Sequence, residues 1–189
     1  MIFAPDTEGA LAFVVTLVNT APEASRSGDD ELATVAQLRE LLSHDAWSGR
    51  FDFDDQELSG VRETRTLLRE LWSLGRDDAV EVVNRMLREA QAVPYLARHD
   101  DLDWHIHAVS PDAPLGIRMR VEAAMALIDV IRMNATTRLR VCAADHCDAI
   151  LADLSRNGSK RFCSTRCGNR TNMASFRSRR VLGRDMNKN

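Results

Sequence analysis

Cysteine is the residue type here with the most specific chemistry to offer, and all four cysteines fall within 26 residues. They form two close pairs, Cys142-x4-Cys147 and Cys163-x3-Cys167, with fifteen residues between. Each pair can bring two sulfurs to one point, and the spacer is long enough for one hairpin that returns the second pair to the first. Four thiolates at such spacing predict a tetrahedral Zn²⁺ site. A closed set of four sulfurs leaves no open coordination position, so the ion would be structural. Thiolate ligation and local folding would then occur together. The alternatives are two disulfides, an iron–sulfur cluster, or four unrelated buried thiols, and His146 is an alternative ligand in place of Cys147. Disulfides suit a secreted chain, and nothing in the sequence points to secretion.

The elements that must position these sulfurs can be read locally. Ala149–Leu154 is a short apolar run that predicts a strand. Asn157-Gly158 is a strong hairpin signal, and Lys160–Phe162 would be the return strand that delivers Cys163. Ser164 and Thr165 open a helix on which Cys163 and Cys167 lie one turn apart. Knuckle, hairpin and helix in that order make a treble-clef finger.

The residues Asp153-x-Ser155-Arg156-Asn157-Gly158-Ser159-x-Arg161-x-Cys163, followed by Cys167-Gly168-Asn169-Arg170, resemble the CGNR zinc fingers of bacterial proteins. In that family the finger follows a helical domain called ABATE, and the stretch Leu11–Thr20 resembles that domain's opening. Phe162 stands where the family usually has Trp, and Ile150 and Leu151 stand where an aromatic residue is common. The resemblance implies a stress-induced transcription regulator.

Charge is divided unevenly. Residues 156–189 carry ten basic and one acidic residue, net +9, while residues 1–155 carry net −12. Such a split predicts a tail that faces nucleic acid or docks on the chain's own acidic part. On a helix, Arg166, Arg170, Arg177, Arg180 and Arg184 fall within an arc of roughly 80°. Arg156, Lys160 and Arg161 could widen that face. Arginine matches phosphate geometry, so Arg161, Arg166, Arg170, Arg177 and Arg180 are the candidate DNA contacts.

The first 140 residues read as helices with one hairpin. Glu8–Asn19 is apolar nearly all round and predicts a buried central helix. Asp29 or Asp30 is expected to cap a second helix, Asp54 or Asp55 a third, and a fourth starts at Asp77. Tyr95–His99 and Leu102–Val109 predict a hairpin across Asp100-Asp101, with Trp104, Ile106 and Ala108 alternating with His105 and His107. A fifth helix follows Pro114 and runs to the finger without a flexible linker, so the two parts should pack together. His105 and His107 share a strand face, where they could bind a metal or small molecule or stand as exposed polar positions. Asn19 is either a polar handle in a ligand pocket between helices or simply the C-terminus of its helix. Asp153 and Arg161 are expected to pair inside the finger.

The fold class is therefore mainly α: a helical domain over 1–140 with one small β-hairpin, a treble-clef-like zinc finger over 141–184, and a tail over 185–189. No nucleophile–base pair, phosphate loop or open metal site is visible, which argues against an enzyme. No targeting segment is evident, and the uncharged run Gly9–Ala21 falls short of the ~20 residues a bilayer needs, so a cytoplasmic protein is expected. The function expected is DNA-binding regulation, with a small-molecule ligand in the helical part. The alternative is a finger that organises a homodimer or docks a partner protein.

Overall fold

The computed structural model describes residues 2–44, 47–98 and 103–185, with side chains as far as Arg177 in the last helix. Five helices build the body: α1 (Pro5–Val18), α2 (Val35–Ser43), α3 (Asp55–Leu71), α4 (Arg76–Glu89) and α5 (Leu115–Arg132). Strands β1 (Tyr95–Ala97) and β2 (His105–His107) pair antiparallel between α4 and α5. The finger adds β3 (Leu139–Val141), β4 (Ile150–Ala152) and α6 (Thr165–Asp185). Asp100-Asp101, His99 and residues 186–189 of the expected tail lie outside the described residues.

Helix boundaries follow local chemistry. Pro5 opens α1 where a missing amide costs nothing, and the Glu8 carboxylate accepts from the Ile2 and Phe3 amides at 2.8 and 3.2 Å. Asp54 caps α3 by accepting from the Glu57 amide at 2.7 Å. Helix α2 departs from expectation. Its cap is Thr34, which forms a capping box with Gln37, because Asp30 is engaged elsewhere. The Asp30 carboxylate takes two bonds from the Arg65 guanidinium of α3, at 2.6 and 2.9 Å.

The Arg65 hydrogen bonds hold Asp30 well below the usual carboxylate range, at about 2 against an ordinary 3.8. A depressed folded-state pKa adds stability above the unfolded value, and that stability is lost as pH falls through the folded value. Asp30→Asn should therefore destabilise by about 2 kcal/mol at neutral pH. The gap between wild type and variant should close between pH about 4 and about 2, measured by urea unfolding at each pH.

The central helix is α5, not α1. It packs against α1, α3 and α4, and eleven of its residues are buried. Small residues let it approach closely. A Cβ on Gly116 would lie 2.7 Å from the Gly60 carbonyl oxygen of α3 and 3.1 Å from the Thr64 hydroxyl. That hydroxyl bonds the Gly60 and Gly116 carbonyls at 2.8 and 3.1 Å. Gly116→Ala must push the helices apart, at a cost of about 2 kcal/mol. The melting temperature should fall by about 6 °C on a calorimetric scan.

The core does not stop at the helices. Ile150 and Ala152 of β4 belong to the same buried cluster as Leu17, Val18, Leu68 and Trp72. The partner of β4 is β3, in register Leu139 to Ala152. Lys160–Phe162 is not a strand, so the return strand expected after Asn157-Gly158 is absent, and the pairing strand precedes the first cysteine instead. The finger thus begins its β-structure at Leu139, ahead of the boundary at 140. No helix among the described residues is long and apolar enough to cross a membrane.

Candidate metal centre and nucleic-acid face

The β3–β4 pair holds the knuckle Cys142–Cys147 between its strands, and the start of α6 supplies Cys167. The Cys142 amide donates to the Ala149 carbonyl at 2.8 Å, closing the knuckle. His146 takes a left-handed φ of 56° just before Cys147, a conformation in which His is enriched among non-glycine residues. The Ser164 hydroxyl accepts from the Cys167 amide at 3.3 Å and fixes the first turn of α6.

All four sulfurs lie within 4.8 Å of one another. Cys147–Cys163, Cys163–Cys167 and Cys167–Cys147 are 3.7, 3.6 and 3.7 Å apart. A tetrahedral ion with metal–sulfur bonds of about 2.3 Å places its sulfurs about 3.8 Å apart. Disulfides, at about 2.05 Å, are excluded by these separations. The space suits one ion and is too small for a cluster of several irons. Zn²⁺ is the structural ion this set holds. His146 is exposed and outside the ligand set.

Burial pushes the Cys163 thiol up to about 12, and burial also raises Cys147. Four thiolates therefore need the cation to exist together. Four thiolates around Zn²⁺ leave a formal −2. Arg170 lies beside it, with its guanidinium 4.0 Å from the Cys167 sulfur and donating to the Asp145 carbonyl at 2.8 Å. Gly168 gives the Phe162 ring room, since a Cβ there would sit 3.3 Å from the ring. The motif Cys167-Gly168-Asn169-Arg170 thus supplies a ligand, a gap for an aromatic ring and a brace for the knuckle.

Asp153 is fully buried and holds the following loop. Its carboxylate accepts from the Ser155 hydroxyl at 2.5 Å and the Lys160 amide at 2.8 Å. Its charged partner is Arg140 at 3.3 Å. The pairing expected with Arg161 is not formed, because Arg140 reaches the carboxylate from β3, while Arg161 lies over the Phe162 ring at 5.6 Å.

Polar contacts couple finger to body. The Asn19 amide donates to the Ile150 carbonyl at 3.0 Å and accepts from the Ile150 amide at 2.8 Å. It therefore acts as an extra rung on β4 and not as a handle in a ligand pocket. The Trp72 indole donates to the Leu151 carbonyl at 3.1 Å, and Arg69 donates to the Asp148 carbonyl at 3.0 Å.

Arg161, Arg166 and Arg177 are exposed, as are Arg156 and Lys160. Arg166, Arg170 and Arg177 share one side of α6 within about 40°. Among the described residues, no carboxylate pairs with Arg156, Arg161, Arg166 or Arg177. Arg180 and Arg184 lie on α6, and their side chains fall outside the described residues.

A second candidate site lies in the body. A cleft of about 970 Å³ opens between the start of α1, the β1–β2 hairpin and the start of α5. Phe13, Trp47, Tyr95 and Trp104 line it, together with His105, His107 and Glu122. Of the alternating apolar residues only Ala108 is buried. His105 and His107 are half-buried, whereas Trp104 is 64% and Ile106 41% exposed. Glu122, 3.3 Å from His107 Nδ1, was not singled out from the sequence. Its signal was weak: it is one of two acids, with Asp129, in a helix that also carries three arginines.

Comparison with known families accounts for nearly all of this architecture. The ABATE profile matches residues 11–134 and the CGNR zinc finger profile matches residues 138–180. No curated protein matches the chain. With two thirds of its length inside the first profile, the chain belongs to the ABATE family, described as "Putative stress-induced transcription regulator", and carries a CGNR zinc finger.

Proposed function

We propose that this chain is a zinc-dependent, DNA-binding transcription regulator whose helical body senses a small molecule in the cleft. One observation carries the DNA reading. The zinc site anchors the first turn of α6 beside the loop 155–161, so exposed Arg156, Lys160, Arg161, Arg166 and Arg177 lie on neighbouring elements without carboxylate partners. Such a face suits a phosphate backbone, with loop and helix on either side. The reading is non-enzymatic, because four sulfurs fill a tetrahedral ion and leave no position for substrate. Support for sensing comes from the aromatic walls of the cleft and the few polar groups that converge there.

The test is titration of the zinc-loaded chain into random duplex DNA at several salt concentrations. Affinity should be micromolar or tighter and should fall with a log–log slope of about −0.9 per phosphate contacted. A flat salt dependence would remove the reading. A second reading has its own observation: Met173 and Phe176 are 52% and 49% exposed on α6. That pair suits a protein partner or a second copy of the chain. Light scattering with and without DNA separates the two, since a dimer that forms at low concentration and ignores DNA favours the second.

A further inference from the structure

We propose that His105 and His107 form a second metal site, for a divalent late first-row transition ion, at the edge of the cleft. The proposal goes beyond the regulator reading and stands or falls separately from it. The two histidines are two residues apart on β2 and face the same side. Their Nε2 atoms are 2.9 Å apart. Each Nδ1 has an acceptor. His105 Nδ1 lies 2.7 Å from the Asp103 carbonyl oxygen, which can only accept, so that nitrogen carries the proton. His107 Nδ1 lies 3.3 Å from the Glu122 carboxylate of α5. In the tautomer that puts a proton on each Nδ1, both Nε2 atoms turn a lone pair towards the short gap between them.

Two nitrogens at that separation hold either a proton or a metal cation between them. Metal–imidazole bonds are about 2.0–2.1 Å long. Two nitrogens 2.9 Å apart then subtend about 90° at an ion, and opening the gap to about 3.3 Å reaches the tetrahedral angle. A carboxylate behind one ring and a carbonyl behind the other is how ligating histidines are oriented and their basicity raised. Imidazole nitrogens select zinc, copper and nickel over magnesium or calcium. The site differs in kind from the four-sulfur centre, because two histidines leave coordination positions that a molecule filling the cleft can reach. The competing occupant of the gap is a single shared proton.

The experiment titrates Ni²⁺ into the full chain already carrying one zinc, followed by calorimetry and absorption. One Ni²⁺ should bind per chain. His105→Asn and His107→Asn should each abolish that binding while the chain keeps its zinc and its helical circular dichroism. Glu122→Gln should weaken it about tenfold. Failure of the native chain to take up Ni²⁺, or uptake by the histidine variants equal to native, overturns the proposal and leaves the proton as occupant. An unchanged affinity in Glu122→Gln overturns the geometry on which it rests. DNA binding by the same samples is read independently, so a negative nickel result leaves the regulator reading intact.

Discussion

Cys163→Ser protein should carry no zinc and should melt about 10 °C lower than wild type across the entire chain, not only in the finger. The ion fixes the knuckle and the start of α6, and structural zinc binding amounts to about 10–16 kcal/mol of folding free energy in small domains. The effect spreads because Ile150 and Leu151 of β4 are each 1% exposed, and Ile150 packs into the helical core. If β4 detaches, the Asn19 amide and the Trp72 indole lose the backbone groups they bond. Two stranded polar groups cost about 2–6 kcal/mol. At about 2–4 °C per kcal/mol for a chain of this size, that gives the expected shift. A fragment of residues 1–140 should be destabilised for the same reason. Metal analysis with calorimetry checks both, and a C163S helical transition at the wild-type temperature would show that body and finger fold independently.

The second large effect concerns DNA. Combined Arg161→Glu, Arg166→Glu and Arg177→Glu should weaken duplex binding at least about 100-fold near physiological salt and flatten the salt slope by about 2.7. These three are exposed and lack carboxylate partners among the described residues. Arg170 is left out deliberately. Its guanidinium bonds the Asp145 carbonyl beside the metal, so Arg170→Glu should loosen zinc retention first and DNA only in consequence. Fluorescence anisotropy at three salt concentrations reads the triple variant. Binding equal to wild type would end the DNA reading and turn attention to Met173 and Phe176.

The parts of this molecule that were legible in its sequence are those set by near neighbours. Four sulfurs at short spacing specify an ion whatever surrounds them. Helices α3, α4 and α5 announce themselves through period and punctuation, with Asp54 and Pro114 at the starts of α3 and α5 and Asp77 in the first turn of α4. What stayed hidden depends on distant partners. Leu139–Val141 carries no strand signal of its own and becomes β3 because β4 lies alongside. Asp30 looks like a cap until Arg65, thirty-five residues away, claims it. Asn19 ends its helix in a way that suggests a handle for ligand, yet its target is a strand 131 residues later. For the hairpin histidines the sequence left cleft and solvent both open, and they line the cleft. Alternation tells which residues share a face, but not which face meets water.

Helix α1 has one further property. Its wall residues Gly9, Ala10 and Phe13 border the cleft, and Asn19, just past its end, grips the finger. Between Ala10 and Val18 there is neither glycine nor proline, and sharp helix kinks almost always need one or the other, or an inserted group. The segment therefore behaves as a stiff rod of about 13 Å. A molecule wedged against Phe13 would press on a segment with no soft joint, and any tilt of its far end would reach β4 through Asn19.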